Sequence, residues 1–341
     1  MKGIDLKMPR IGADGKERSW EDIENEFVKL FKKGILRSIS KINIKKSYPE
    51  LRSFHGQLQR DIDEILIGKP YVFPKWIRYW NFILRNIRSN SSKKRSPKAI
   101  EKNISSYIIK LTNAFAYKKF RTDGLNKIAV MINVKTCLYC NQNFTIVVGN
   151  SPDDKGEIVM DNAQAFIQFD HFYDKSSFPF LSMSLYNLIP ACPQCNHKKS
   201  NKSYSLALHP YVADYATQLT FKIKDPDAMT NPKFMKIDLM EVEIENGGNM
   251  ELGNLMGNLA IKERYSRHLD IVKELEIAKY LQPYYEKIFF DSMPREIGDA
   301  LSKFDSNLLR RHLFGFFQDE KDINQRPLTK FCQDIYKQLI L

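Results

Sequence analysis

Four cysteines, an Asp-His pair and two asparagines crowd into one stretch of this chain, residues 137–202. It opens as CLYCNQNFTIVV, continues as AFIQFDHFYDKSSFPFL and closes as SLYNLIPACPQCNHKKSNK. Cys137/Cys140 and Cys192/Cys195 form two Cys-x-x-Cys knuckles. Each spacing holds its two sulfurs at the distance a metal needs, and two such pairs close a tetrahedral zinc site. The span between the knuckles is longer than a compact ribbon requires, so it must hold structure of its own. Asp170 and His171 lie inside it.

Phosphodiester hydrolysis needs a base to activate water and a cation to stabilise the added negative charge and the leaving oxygen. A neutral imidazole accepts a proton near pH 7, which suits His171 to the first task. Asp170 offers a hard oxygen for Mg²⁺, and the amide oxygen of Asn196 is a second candidate, although an Asn there can also cap a helix. One carboxylate and one amide do not cage Mg²⁺ alone, so phosphate and water would complete the shell. Neighbours on a strand point to opposite faces. Asp170 and His171 therefore act together only if the strand ends or bends at Phe172–Tyr173, where DKSSFPF reads as a loop.

The stretch resembles the HNH endonucleases of the ββα-metal fold, in the subgroup whose motif is bracketed by zinc-binding Cys-x-x-Cys pairs. CLYC, FDHF, YNLIPAC and CPQCNHKK carry the resemblance. It implies a metal-dependent endonuclease acting on nucleic acid, DNA first. His171 would be the general base, and Asp170 and Asn196 would hold catalytic Mg²⁺ or Mn²⁺. Asn187, otherwise an ordinary turn Asn, would tie the loop between the strands and orient His171. Lys199 would face the phosphate backbone, and the Zn²⁺ would be structural. Many relatives carry a Pro two or three positions after the His, where this chain has Asp174. His197, beside Asn196, could contact phosphate or cap the helix. LHPY and RPLTKFCQDIYKQL are looser likenesses to large HNH proteins of bacterial and phage-defence operons, including Septu-type nucleases that pair with an ATPase. Anti-phage defence and an ATPase partner docking on the C-terminal third are what that likeness implies. Two alternatives stay open: a non-catalytic zinc-braced nucleic-acid-binding protein, and a stand-alone sequence-specific restriction-type nuclease.

The elements that must position these residues are mostly helical. The expected fold is mainly α with a small α+β core, a ββα-metal module flanked by helical regions. Its divisions are a basic helical region over 1–130, the zinc-braced module over 131–210, and an α+β to helical region over 211–341. Residues 1–16 read as a flexible arm. Ser19 caps a helix through EDIENEFVKLFKKGILRSI, and ELRSFHGQLQRDIDEILI forms a second that stops at Gly68 and Pro70. From Pro74 to Arg88 the apolar residues Trp76, Trp80, Ile83, Leu84 and Ile87 recur at helical spacing. Lys75, Arg78, Arg85 and Arg88 fall on the opposite side, either as a solvated face or, with Lys93-Lys94-Arg95, as a track for phosphates. Helices over Pro97–Lys119 and Asp123–Met131 follow. FTIVVG, AFIQFDHF and SLYNLIPAC read as strands, and CNHKKSNK as a basic helix. LTFKIK and KIDLMEVEIE are later strands, and the pattern is helical from Asn254 onward.

The 341 residues carry a net charge of +13 and a pI of about 9.3, which favours a polyanionic partner over a merely basic soluble protein. A hydrophobic fraction of 43% and an aromatic fraction of 12% argue against disorder. The sequence shows neither a signal peptide nor an apolar run of membrane-span length, so the expected location is cytoplasmic with no membrane partner. No Gly-rich phosphate loop is present, so the chain is not expected to hydrolyse nucleotide itself. Cys332 reads as a small buried hydrophobe, and His55, His209, His268 and His312 as structural.

Overall fold

The computed structural model describes residues 2–44, 47–91, 96–115, 123–149, 151–152, 158–160, 163–225, 240–291, 311 and 314–340. The Lys93-Lys94-Arg95 loop, residues 116–119 of the expected long helix, His312, and parts of NSPDDKGE, KIDLMEVEIE and SKFDSNLLRRHLFGFF fall outside them. The described fold is mainly helical, with small two-stranded sheets.

The first residues are not a free arm. Ile4 is buried and its N–H donates to the Pro210 carbonyl at 3.0 Å. Lys2 pairs with Asp214 at 2.6 Å. Strands β1 (Arg10–Ile11) and β2 (Glu17–Arg18) then form a tight antiparallel pair whose turn places Gly15 at φ +78, a conformation glycine adopts without steric cost. This anchoring is tertiary, which is why local sequence pattern does not reveal it.

Helix α1 (Trp20–Ser40) starts at Ser19 with a capping box: Ser19 accepts from the Asp22 N–H, and Asp22 reaches back to the Ser19 N–H. Ile23, Phe27, Phe31, Ile35 and Ile39 make its buried stripe. The expected second helix is broken at Asp61 (φ −104, ψ 30) into α2 (Pro49–Arg60) and α3 (Ile62–Ile67). Helix α4 (Phe73–Ser91) buries Trp76, Trp80, Ile83 and Ile87. Helices α5 (Pro97–Phe115) and α6 (Asp123–Ile132) complete this region and pack with α3 against α1.

Strands β3 (Val147–Val148), β4 (Ser151–Pro152), β5 (Ile158–Val159) and β6 (Gln164–Ala165) pair as β3–β6 and β4–β5. Strands β7 (Gln168–His171) and β8 (Leu188–Ala191) pair antiparallel, and α7 (Pro193–Lys199) follows directly. The expected strand SLYNLIPAC is shorter than its pattern suggests, because Leu185–Asn187 forms a 3₁₀ turn before β8 begins. A short helix α8 (Tyr215–Gln218) leads to β9 (Thr220–Ile223), which pairs with β10 (Val242–Glu245). Helices α9 (Met250–Asn258), α10 (Ile261–Tyr265), α11 (Asp270–Asp291) and α12 (Thr329–Ile340) follow.

Helix α12 covers the second edge of β9 with side chains. Asp334 accepts from the Phe221 N–H at 2.9 Å, and Gln338 both accepts from the Ile223 N–H and donates to its carbonyl. An edge paired in this way offers no template for another chain. Cys332 is buried on α12. Among the described residues no helix is long and apolar enough to cross a membrane.

Candidate functional site

The four knuckle cysteines converge. All are buried and free, and their sulfurs lie within 4.8 Å of one another, with Cys140 and Cys192 at 3.9 Å. A Zn–S bond of about 2.3 Å sets the sulfurs of a tetrahedral site about 3.8 Å apart, so the cluster fits structural zinc. Local turns build it. The Cys137 N–H donates to the Asn143 carbonyl, and Asn141 adopts φ +52 straight after Cys140. On the second knuckle Cys192 occupies the N-cap of α7, with Pro193 in the first turn.

A ring of donors surrounds the sulfurs. The Gln142 N–H points at Cys140 and the Asn143 amide at Cys192. Arg264 of α10 sends Nη1 to Cys195 at 3.3 Å and Nη2 to Cys140 at 3.4 Å, one bond to each knuckle. Burial works against its charge, but attraction to Cys140 and Cys195 prevails and holds the guanidinium above its ordinary pKa. Hydrogen bonds from Cys137 and Cys195 draw the Cys140 thiol down to about 7, while burial raises Cys137. Tyr265 donates to the Cys140 carbonyl at 2.5 Å. Asn141 donates to the Ile323 carbonyl and accepts from the Lys330 N–H, tying the first knuckle to the start of α12. Sequence reading missed Arg264 and Asn141, whose partners lie far along the chain.

The hairpin β7–β8 sets Asp170 opposite Ile189 and His171 opposite Leu188. The two side chains leave the strand on different faces. Asp170 turns toward α7, buried, accepting from the Tyr139 hydroxyl at 2.7 Å and pairing with Lys199 at 3.1 Å. Burial raises the Asp170 carboxyl above its usual range, and the Lys199 charge and Tyr139 hydroxyl pull it back. His171 meets the Ser182 carbonyl through Nε2 at 3.0 Å. A carbonyl only accepts, so Nε2 carries the proton and Nδ1 the lone pair. Burial, then the charge of Lys175, lowers the His171 pKa to about 3, and the ring is neutral at pH 7.

Asn187 is a clamp. Its side chain accepts from the Tyr173 N–H at 2.8 Å and donates to the Tyr173 and Leu181 carbonyls, each at 3.0 Å. This fixes the loop that carries Ser182 and hence the His171 ring. The N-terminal helices brace the same loop: Trp80 donates to the Ser177 carbonyl at 3.1 Å, and Phe180 packs against Phe54 and Trp80. Glu24 of α1 and Lys69 both bond the Tyr186 hydroxyl, next to Asn187.

Lys199 and Asn196 meet partners that the sequence does not announce. Lys199 does not face outward. It is fully buried, and its ammonium bonds the His171 and Phe172 carbonyls as well as Asp170, serving carbonyls at the point where the β7 ladder stops. Asn196 is half-buried and donates to the Gln168 side chain at 2.6 Å. Asp170 is tied to an ammonium, whereas the Asn196 bond to Gln168 is made by the amide nitrogen and not by the oxygen expected as a ligand. Asp174 caps a turn, accepting from Ser176 and from the Ser177 N–H. His197 is exposed on α7.

On α4 the four expected cations are exposed. Lys75 pairs with Glu64 at 2.8 Å and Arg88 grips Glu101 through two nitrogens. Arg78 and Arg85 make no ion pair among the described residues. His55 and His209 are buried.

Compared with protein-family models, curated proteins and solved structures, the chain matches none. Fold and site together define a mainly helical protein with a buried four-cysteine cluster suited to zinc.

Proposed function

We propose that the chain is an HNH-type endonuclease, hydrolysing phosphodiester bonds of nucleic acid, DNA first, with His171 as general base. The observation that carries this is the state of His171: a neutral ring whose Nε2–H is donated to the Ser182 carbonyl, which makes Nδ1 the basic nitrogen. The ring sits in a strand–strand–helix unit, β7–β8–α7, closed by the four cysteines and clamped by Asn187. The charge of +13 suits a polyanionic substrate. In the reaction His171 takes a proton from water, which attacks phosphorus and breaks its bond to the 3′-oxygen; that oxygen takes a proton from solvent, leaving 5′-phosphate and 3′-hydroxyl ends. A divalent ion would stabilise charge on the phosphoryl group. Asp170, once released from Lys199, and the Asn196 amide oxygen would be the residues to hold it.

The Asp170–Lys199 pair favours a second reading, a zinc-braced nucleic-acid-binding protein without hydrolysis. One experiment separates the two: incubation of plasmid, linear duplex and transfer RNA with the chain, with and without Mg²⁺, alongside His171→Ala. The nuclease reading expects Mg²⁺-dependent cleavage that falls about 10²–10⁴-fold in the variant while affinity persists. Cleavage at an unchanged rate in His171→Ala would remove the ring from the mechanism. No cleavage of any substrate leaves the binding reading. A site of this kind reads phosphate rather than sequence, so we place restraint in a partner, an ATPase by the defence-system likeness. Full activity of the isolated chain confined to one defined sequence would overturn the partner.

A further inference from the structure

A cleft of about 680 Å³ opens beside the Gln168 end of β7 and against the second knuckle. Asn126, Asn143, Phe144, Phe166, Gln168 and Gln194 are among the residues that line it, and the described lining residues include no Asp, Glu, Lys, Arg or His. Phe144 and Phe166 are 51% and 54% exposed; Tyr71, Phe82, Tyr280 and Tyr284 are exposed elsewhere, but these two rings share one cleft. Their placement follows from register. Val148 faces Gln164, and the Phe166 N–H donates to the Ile146 carbonyl at 2.8 Å. Continued into the segments beside β3 and β6, this register sets Ile146 opposite Phe166 and Phe144 opposite Gln168, and alternation puts the four on one face.

This face offers flat rings, with side-chain amides around them that both donate and accept hydrogen bonds. Uncharged walls do not suit a phosphate. A planar group with a polar edge does fit, and the volume falls within the usual range for small-ligand sites. We propose that the cleft takes an unstacked nucleobase, with one or both phenylalanine rings as the stacking surface and the amides reading the base edge. In a duplex the faces of the bases are already stacked, so the ligand is a base from a single strand or an opened duplex. Gln168 connects the cleft to α7, since its side-chain oxygen accepts from Asn196. The inference rests on the nucleic-acid reading above and names the form of its substrate.

The test uses the full chain and a short oligothymidylate bearing one 2-aminopurine, as DNA and as RNA, single-stranded or duplex, with Mg²⁺ omitted. Stacking quenches the fluorescence of the probe, and single strands should bind more tightly than duplex. The DNA and RNA arms show which sugar is preferred. Phe144→Ala and Phe166→Ala should each weaken single-strand binding roughly 5- to 100-fold and remove quenching. The tyrosine variants, which keep the ring, should retain both, and circular dichroism checks that every variant is folded. Unchanged affinity and quenching in both alanine variants would overturn the proposal, as would duplex binding equal to single-strand binding. If the variants instead lose self-association in sedimentation, the face is a contact between copies of the chain and the proposal fails. Ring-dependent stacking in a chain that cuts nothing would overturn hydrolysis and leave the cleft standing. Cleavage that does not depend on the rings would do the reverse.

Discussion

Lys199 ends a helix of sequence PQCNHKK, where a basic residue is easily set against phosphate. Its ammonium instead lies buried between the Asp170 carboxylate and two carbonyls. Removing one member of a buried pair leaves the other charge uncompensated, at a cost of about 3–5 kcal/mol. Lys199→Met should therefore lower stability in urea denaturation by about that amount, while the salt dependence of nucleic-acid binding stays as it was. A stable variant with a flatter salt dependence would return Lys199 to the phosphate. For His171, the burial that keeps its ring neutral also makes it a weak base. A phosphate arriving beside it would favour the protonated form and raise its pKa toward the working range. The cysteine pairs were legible because a knuckle is a local spacing. Arg264, Asn141 and Tyr139 were not, since each meets its partner only once distant segments are folded together.

Elements with a strong apolar period are where sequence and structure agree most closely. Helices α1 and α4 follow their stripes, and the Ser19 cap lies where its chemistry places it. The pinned N-terminus, the break at Asp61 and the 3₁₀ turn before β8 escaped because tertiary contacts decide them. The bend needed after His171 does occur, since β7 ends there, yet it does not bring Asp170 round to the same side. On α4, Lys75 and Arg88 already hold carboxylates, leaving Arg78 and Arg85 as the better candidates for phosphate. Each lost phosphate contact flattens the slope of log affinity against log salt by about one unit. Replacing Arg78 and Arg85 by Gln should then flatten it by about two, measured by fluorescence anisotropy from low to moderate salt, and replacing Lys75 and Arg88 by much less. An unchanged slope in the Arg78/Arg85 variant would make this a plain solvated face.

At the scale of the molecule, the cysteine cluster is where separate parts of the chain meet. Asn141 ties it to α12, Arg264 and Tyr265 tie it to α10, and the Leu138 N–H reaches the Pro190 carbonyl of β8. Four thiolates around Zn²⁺ leave a net negative centre, which the Arg264 guanidinium offsets. Partners in the outer shell of a metal typically contribute 10–100-fold to its affinity. Arg264→Leu should release zinc to a chromophoric chelator at a correspondingly lower chelator concentration, and chelation of the wild type should lower its melting temperature. Zinc absent by elemental analysis would remove the metal reading itself, a different outcome from zinc held equally well by both proteins. Acid should also unfold the chain, for a separate reason. His171 and His209 titrate at about 3 in the fold, chiefly because they are buried, against about 6.5 when unfolded. The unfolded chain thus binds more protons between these values. The stabilisation is complete above pH 6.5 and is lost as pH falls toward 3. Asp170 and Asp334, raised by burial, oppose this trend. The histidine share can be isolated with His209→Phe, since the His209 ring already packs 4.3 Å from that of Phe172. Between pH 4 and 6 the variant should lose about 1.4 kcal/mol per pH unit from the slope of stability against pH, measured by urea denaturation. A slope equal to that of the wild type would mean that His209 is protonated in the folded chain.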